Sequence, residues 1–596
     1  MNLRTYFNEL KRRNVFKSGI AYLVLSWILI QVSETILPSF NAPDYLFKTI
    51  LYVLSIGFPV WLLFSWIYEI TPEGLKKTED VHPTTSIAPR TSNRLNKIII
   101  ALLAIAIVMM FFDKFWPEEV NKMDKTEISL IADPQFEDKK AIAVLSFLNH
   151  SKNTNEEYVV DGITEAITLE LSKNNSLRVI SRTSAMSYKD ESKLSSEIAK
   201  ELGSDYLLEG SVLTDNDSIR VTVQLIDPVP SEKHIWSNIY HQKTENIIPM
   251  IGNLSVDIAN EINSIMTPAV PSSNFQQVDA KAYDLYLKGR HLWKQQTNQT
   301  IGSSIENLTE SIKLDSSFAP AYVTLAEAYI TLNQFEYNNE KKPLNREKSR
   351  EAINRALELD NTLGEAYITK GNILGKFDWD WKGMKKMLDK GLQLNPNNAY
   401  GHKLLSDYYL VSGDYNKAIS ETFIAEKLDP LNPMIGLQAG KVYYVANQYD
   451  KAMEQSYKLL ELFPEFGLAY SRLGFVHWIK GEKEEARNSF LRLQEIRNNQ
   501  AMVKAYKEGS FEDGINFWLL SVEKEDPKFC TWPGLTAQVY MAIDDKEKAL
   551  EYLEIAFKYH NEHLPIMLLM PEFKHLYNES RFKKLVKETG INLKTE

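Results

Sequence analysis

Cysteine is almost absent from this 596-residue chain, which carries only Cys530. No intramolecular disulfide can form, and no thiolate cluster can hold zinc. A lone cysteine without a partner histidine at a recognisable spacing reads as a packed thiol and not as a nucleophile. An excess of basic charge is also missing. The net charge is −10 and the pI about 5.7. Nucleic acid needs a basic face to meet its phosphates, so the charge argues against it as the main partner. No HExxH, Walker A or GxSxG pattern occurs, so no motif calls for a metal or cofactor.

What is present is ordinary folded-protein composition, 44% hydrophobic and 24% charged, over a length too great for one core. The expected fold class is multidomain: N-terminal transmembrane helices, an α/β sandwich and a C-terminal all-α repeat solenoid. Three apolar stretches within residues 1–116 suggest a membrane anchor, with spans at about 19–37, 49–68 and 98–116. Pro59 is expected to kink the second. Arg4, Lys11, Arg12, Arg13 and Lys17 precede the first stretch. Lys76, Lys77, Arg90, Arg94 and Lys97 lie between the second and third, and acids such as Glu118, Glu119 and Asp124 follow. The positive-inside rule then predicts a cytoplasmic N-terminus and an extracytoplasmic remainder. That orientation depends on the third stretch spanning.

After a polar linker at 117–138, residues 139–266 change pattern. Ala141 to Phe147 reads as a buried strand, and Asp161 as the cap of a following helix. Leu177 to Ile180 is a second strand, and Ser192 to Leu202 a helix closed by Gly203. Tyr206 to Val212 and Ser218 to Asp227 form a hairpin, the latter with Ile219, Val221, Val223 and Leu225 in strict alternation. Ile235 to Tyr240 adds a strand, and about 244–266 a helix. The order is β-α-β-α-β-β-β-α.

The segments "AIAVLSF", "EEYVVDGITEAITLELSKNNSLRVISRTSAMSYK", "IAKELGSDYLLEGSV", "IRVTVQLID" and "HIWSNIY" closely resemble the TolB N-terminal-like domain of bacterial multidomain proteins. The N-terminal "YFNELKRRNVFKSGIAYLVLSWILIQVSETILPSF" also resembles the anchors of such proteins. The resemblance implies an extracytoplasmic accessory domain without known chemistry, commonly set beside tetratricopeptide repeats, and a location at a bacterial inner (plasma) membrane. The chain departs from the usual pattern at Ser146 and at Pro228-Val229-Pro230. Glu165 and Glu170, with Asp161, could in principle serve acid–base chemistry. Acids on a helix surface are more simply solvated. Ser181-Arg182-Thr183 reads as a tight polar turn.

Beyond a linker at 267–279, residues 280–560 repeat. Leu314, Leu359, Leu394, Leu428 and Leu462 recur at intervals of 45, 35, 34 and 34. A period near 34 is the tetratricopeptide value. The long first interval is assigned to an insertion around "FEYNNEKKPLN". Six fairly clear units, a degenerate one and a last clear one are expected, with a capping helix and tail at 561–596. The expected function is a membrane-tethered scaffold that binds a protein or peptide ligand on the concave face of its repeats. Tyr322, Tyr329, Tyr367, Lys403 and Tyr409 mark the candidate contact segments. An accessory or sensor component acting through a separate cytoplasmic partner is the alternative, and an enzyme with an unrecognised site a third reading. His291, His402 and His477 lack metal-ligand spacing and read as structural.

Overall fold

The structure is a computed structural model. It describes residues 44–71, 74–77, 139–151, 157–229, 232–243 and 278–593, apart from short gaps within those ranges, and isolated positions in 15–33 and at 257. Contacts divide the chain into two compact units, Met1–Lys125 and Thr126–Glu596.

In the first unit, helix α1 (Asp44–Ile67) carries Pro59 in its interior. Strands β1 (Tyr68–Thr71) and β2 (Gly74–Lys77) follow as an antiparallel hairpin. The Tyr22 hydroxyl donates to the Leu54 carbonyl at 2.9 Å. Among the described residues no helix is long and apolar enough to cross a membrane. This corrects the expected fold class, whose three spans were read from apolar runs alone. The sequence of α1 includes Asp44 and Lys48 near its start and Pro59 in its interior, and the chain leaves Ile67 directly into a hairpin. The expected span at 98–116 lies outside the described residues, as does most of 19–37.

The second unit opens with a sheet in the order β5-β3-β6-β7-β8, with β4 also pairing β6. Its strands are β3 (Lys140–Val144), β4 (Leu148–Asn149), β5 (Leu177–Ile180), β6 (Tyr206–Asp215), β7 (Ser218–Asp227) and β8 (Lys233–Lys243). The pairings of β3 with β5 and β6 are parallel, and those of β7 with β6 and β8 antiparallel. A strand with parallel neighbours on both sides is buried on both faces, and Ala141 to Val144 are at most 1% exposed. Alternate residues serve two cores. Ile142, Val144 and Leu208 pack with α2 (Glu157–Ser172). Ala143, Ile180 and Leu207 pack with α4 (Ser195–Leu202) and with Ala185 of the short α3 (Arg182–Met186). Gly203 ends α4 in the left-handed conformation, φ 63°. The helix expected over 244–266 lies outside the described residues.

Sixteen helices then form eight antiparallel pairs among the described residues. The first of each pair is α5 (Ala280–Lys294), α7 (Ala319–Phe335), α9 (Gly364–Phe377), α11 (Ala399–Val411), α13 (Pro433–Val445), α15 (Gly467–Ile479), α17 (Gln500–Glu508) and α19 (Pro533–Ala542). The second is α6 (Asn298–Leu314), α8 (Lys342–Leu359), α10 (Trp381–Leu394), α12 (Tyr415–Leu428), α14 (Tyr449–Leu462), α16 (Lys483–Ile496), α18 (Phe511–Val522) and α20 (Lys546–Lys558). This is a tetratricopeptide-type solenoid. The five recurring leucines are the last residues of α6, α8, α10, α12 and α14. The turn within a pair repeats a device. Trp379, Gly413 and Asp544 take positive φ, and the next residue, Asp380, Asp414 or Asp545, caps the second helix. The long first interval is not one inserted loop. Helices α7 and α8 are each four residues longer than α11 and α12, and their connection is three residues longer.

The chain ends in α21 (Leu564–Met567), a 3-10 turn (Pro571–Leu576) and α22 (Ser580–Thr589). This segment runs along the first helices of the pairs. Glu562 accepts from Asn333 at 2.7 Å and pairs with Lys376 at 3.4 Å. Buried Glu572 accepts from Tyr444 and Gln538. The Trp381 indole donates to the Thr589 carbonyl at 2.8 Å, and the Asn592 amide to Val411 at 2.8 Å. The concave face is therefore largely filled by the chain's own end.

Candidate functional site

Two polar surfaces of the second unit bear on function: the seam between sheet domain and solenoid, and the ladder of side chains along the first helices.

At the seam, α2 packs on α5. Gly162 permits the approach, since a Cβ there would meet Leu287 at 2.7 Å. Glu165 accepts from Arg290 at 2.7 Å and also pairs with Lys294. Burial opposes its charge, but the two cations outweigh that and hold Glu165 well below the usual carboxylate range. Burial pushes Lys294 down to about 8. Asp161 does not cap α2, which begins four residues earlier. It pairs instead with Arg182 at 2.9 Å, Lys189 at 3.4 Å and His291 at 3.3 Å. Against the opposing effect of burial, these partners lower Asp161 to about 2. Glu170 pairs with Lys173 on its own helix turn. A carboxylate held this low is a poor base near neutral pH, so the seam acids serve docking.

Further along the seam, the edge of β5 meets loops of the repeats. The Val179 amide donates to the Asn397 side chain at 3.0 Å, and the Asn397 amide group donates to the Ser172 and Asn174 carbonyls. The Ser181 amide donates to Leu428 at 2.7 Å. Buried Asp429 accepts from both the amide and the hydroxyl of Ser184, at 3.1 and 2.6 Å. The Ser181–Thr183 stretch, read as a simple turn, is thus the start of α3 and a docking element. Asn397 and Asp429 were missed, because nothing in their local sequence distinguishes them from ordinary loop residues.

The ladder on the first helices begins at Glu327 of α7, which accepts from Thr369 of α9 at 3.1 Å. Farther on, Asp407 of α11 pairs with Lys403 and with Lys441 of α13, both at 2.7 Å, and accepts from Gln438 at 3.0 Å. Burial opposes the charge on Asp407, and the two lysines more than offset it. Lys441 is pushed down to about 8 by burial. Of the five candidate residues, Lys403 stands in this ladder. Tyr329 lies under Lys348 of α8, and Tyr409 between Lys385 of α10 and Lys417 of α12. Those two tyrosines face the second helices. Tyr322 donates to the Ser316 carbonyl and packs against the buried cluster shared by α7, α8 and α9. Tyr367 is half-buried on α9. His402 meets Glu421 at 2.7 Å and His477 meets Glu482 at 2.6 Å. Among the described residues no group of His, Cys, Asp and Glu could hold a metal.

Residues 138–247 match a family model described as HilA/YgeH-like transcriptional regulator, second domain. A stretch of 258 residues is 28% identical to a Rhizobium meliloti (strain 1021) protein named "Putative adenylate cyclase 3"; the match covers 43% of this chain and 43% of that relative. Among solved structures, human IFIT1 with m7Gppp-AAAA is similar over 52% of this chain and 77% of its own, at 15% identity and TM-score 0.35. YrrB, described as a TPR protein with an unusual peptide-binding site, covers 32% of this chain and 92% of its own, at 20% identity and TM-score 0.24.

Glu327 makes the ladder pH-sensitive. Burial pushes its carboxyl from 4.5 up to about 7, against the opposing pull of Arg290. Between those values the folded protein holds a proton that the unfolded chain has released, so stability falls as pH rises through the window. Glu327→Gln is expected to abolish this fall. Glu327 is half-buried and water discounts the shift, so the gain above neutral pH should be about 1 kcal/mol. Melting curves of both proteins at acidic and alkaline pH check this; an equal difference at the two pH values would count against it.

Proposed function

We propose that this chain is a non-catalytic scaffold that binds a protein or peptide on its repeat solenoid. One observation carries the reading. Tyr400, Met434 and Leu468 are the second residues of α11, α13 and α15, and they are 47%, 52% and 41% exposed. Stacked repeats set equivalent positions side by side. An ordered row of exposed large apolar side chains is the surface that interaction sites use, whereas scattered ones need no explanation. Lys403 stands 5.9 Å from the Tyr400 ring, so the row adjoins the polar ladder. Under this reading the ligand lies along the starts of the first helices and not deep in the groove, where Leu564 to Leu576 are packed. The sheet domain is read as an accessory domain of the TolB N-terminal-like kind that braces the repeats through Asn397 and Asp429.

The test is Tyr400→Glu, Met434→Glu and Leu468→Glu combined in the full chain. A partner cross-linked in cells to a photoreactive residue beside Met434 is identified, purified and titrated. The triple variant is expected to bind it at least tenfold more weakly with an unchanged circular dichroism spectrum. Wild-type affinity in the variant would sink the reading. An accessory role in a signalling system, through a separate catalytic partner, draws support from the name of the Rhizobium relative. It predicts that the isolated chain makes no cyclic nucleotide from ATP, while the partner captured by the row does.

A further inference from the structure

A cleft of about 840 Å³ lies between α10, the end of α11 and the chain's last described turn. Its lining includes Lys382, Lys385, Lys386 and Lys390, against the single acid Asp389. Asp389 is already engaged, since Lys385 donates to both of its oxygens at 2.6 and 2.7 Å. Lys382, Lys386 and Lys390 are exposed and make no ion pair with a described residue. They succeed one another at intervals of four and so form one straight row on the helix. Like charges one turn apart destabilise a helix, and this protein is otherwise acidic, with net charge −10. The row is held firmly. The indole of Trp381 is bonded to Thr589, and the Asn592 amide and side chain bond to Val411 and Ser412.

We infer that this cleft binds an extended acidic peptide segment of the scaffold's partner, with carboxylates on alternate residues. The spacing selects the conformation. Four residues of helix advance about 6 Å, and two residues of strand about 6.8 Å, so alternate carboxylates of an extended strand meet successive lysines. The aromatic lining argues for peptide over single-stranded nucleic acid. Base recognition needs open ring faces to stack on. Here Tyr408 is packed edge-on against Tyr409 at 5.3 Å, and Trp381 is half-buried with Gly590 against its ring. The inference deepens the scaffold reading and rests on it.

The experiment titrates the full chain with a fluorescein-labelled peptide of alternating Glu and Thr. Controls are the same composition with all Glu in one block, and an oligouridylate of similar charge. The alternating peptide is expected to bind most tightly. Its affinity should fall at least tenfold in Lys382→Gln/Lys386→Gln/Lys390→Gln, a change that keeps helix propensity. It should also fall between ~0.1 M and ~1 M salt, where screening shortens from ~10 Å to ~3 Å. No binding of the peptide, equal binding by the triple variant, or tighter binding of the oligouridylate each overturns the inference. The Tyr400/Met434/Leu468 variant separates the two claims. It should keep the peptide while losing the cellular partner, whereas retention of that partner removes the scaffold reading whatever the peptide does.

Discussion

Phe573→Ala is expected to destabilise the repeat region by about 3–5 kcal/mol, the usual result of emptying a fully buried aromatic site. Phe573 is 0% exposed and packs beside Phe582 at 6.3 Å between ring centres. It belongs to the segment that lies along the first helices of the solenoid. Leu564, Leu568 and Leu576 are also 0% exposed, and Leu569 and Met570 are 3% exposed. Each such burial contributes roughly 1.5–3 kcal/mol. Six of them are comparable with the roughly 5–15 kcal/mol that stabilises a whole domain. That magnitude decides between two roles for the segment. A displaceable plug would have to be exchanged for a ligand that repays all six burials, which is beyond an ordinary peptide. The segment is a structural core. Denaturant titration of Phe573→Ala should therefore move the transition of the repeats as a whole. A loss below about 1 kcal/mol, with peptide binding in the groove enhanced, would reverse the assignment to a plug.

The sequence made the solenoid visible because stacking imposes a period. Leu314 to Leu462 end the second helices of successive pairs, and the left-handed turn residues Gly413, Asn447 and Gly481 follow at intervals of 34. Strand β7 was equally plain, since Ile219, Val221, Val223 and Leu225 alternate and are all fully buried. Contacts between distant segments leave no such trace. Asn397 meets β5 across 218 residues and Asp429 meets Ser184 across 245. Each is one polar residue in a loop of ordinary composition. The filling of the groove by residues near Glu572 was hidden for the same reason. The candidate contacts were taken as segments of the first helices, and those segments present more than one side: Lys403 stands in the ladder, while Tyr329 and Tyr409 lie beside lysines of the second helices. The expected span at 49–68 was read from its apolar run, with Asp44 and Lys48 placed before it; α1 instead starts at Asp44, takes in both charges, and is among the described helices of which none is long and apolar enough to cross a membrane. The lysine row of α10 could have been found in sequence, as "WKGMKKMLDK" places Lys382, Lys386 and Lys390 one turn apart.

The seam between sheet domain and solenoid should come apart in acid, and Glu165→Gln should loosen it at neutral pH. Glu165 neutralises Arg290 and Lys294, whose side chains are 15% and 28% exposed. Removing one member of a buried ion pair typically destabilises by 3–5 kcal/mol, because the other charge stays buried without its partner. Glu165 itself is 20% exposed, and water can partly compensate, so about 2–3 kcal/mol is expected here. The pH dependence follows from the same pairs. Glu165 and Asp161 are both depressed below their ordinary values of 4.5 and 3.8. A depressed carboxylate stabilises the folded state fully above its unfolded value, and that contribution is lost as pH falls towards the folded one. The seam should therefore weaken as pH drops through about 4 towards 2, and Glu165→Gln should show a shallower loss over that range because one of the two titrating groups is gone. Hydrogen exchange reads this directly. Amides of α2 and α5 should exchange faster in Glu165→Gln at neutral pH, while α15 to α18, which make none of the seam contacts, stay protected. Unchanged protection of α2 and α5 would mean that the apolar packing of α2 on α5 and the hydrogen bonds of Asn397 and Asp429 hold the seam without the ion pairs.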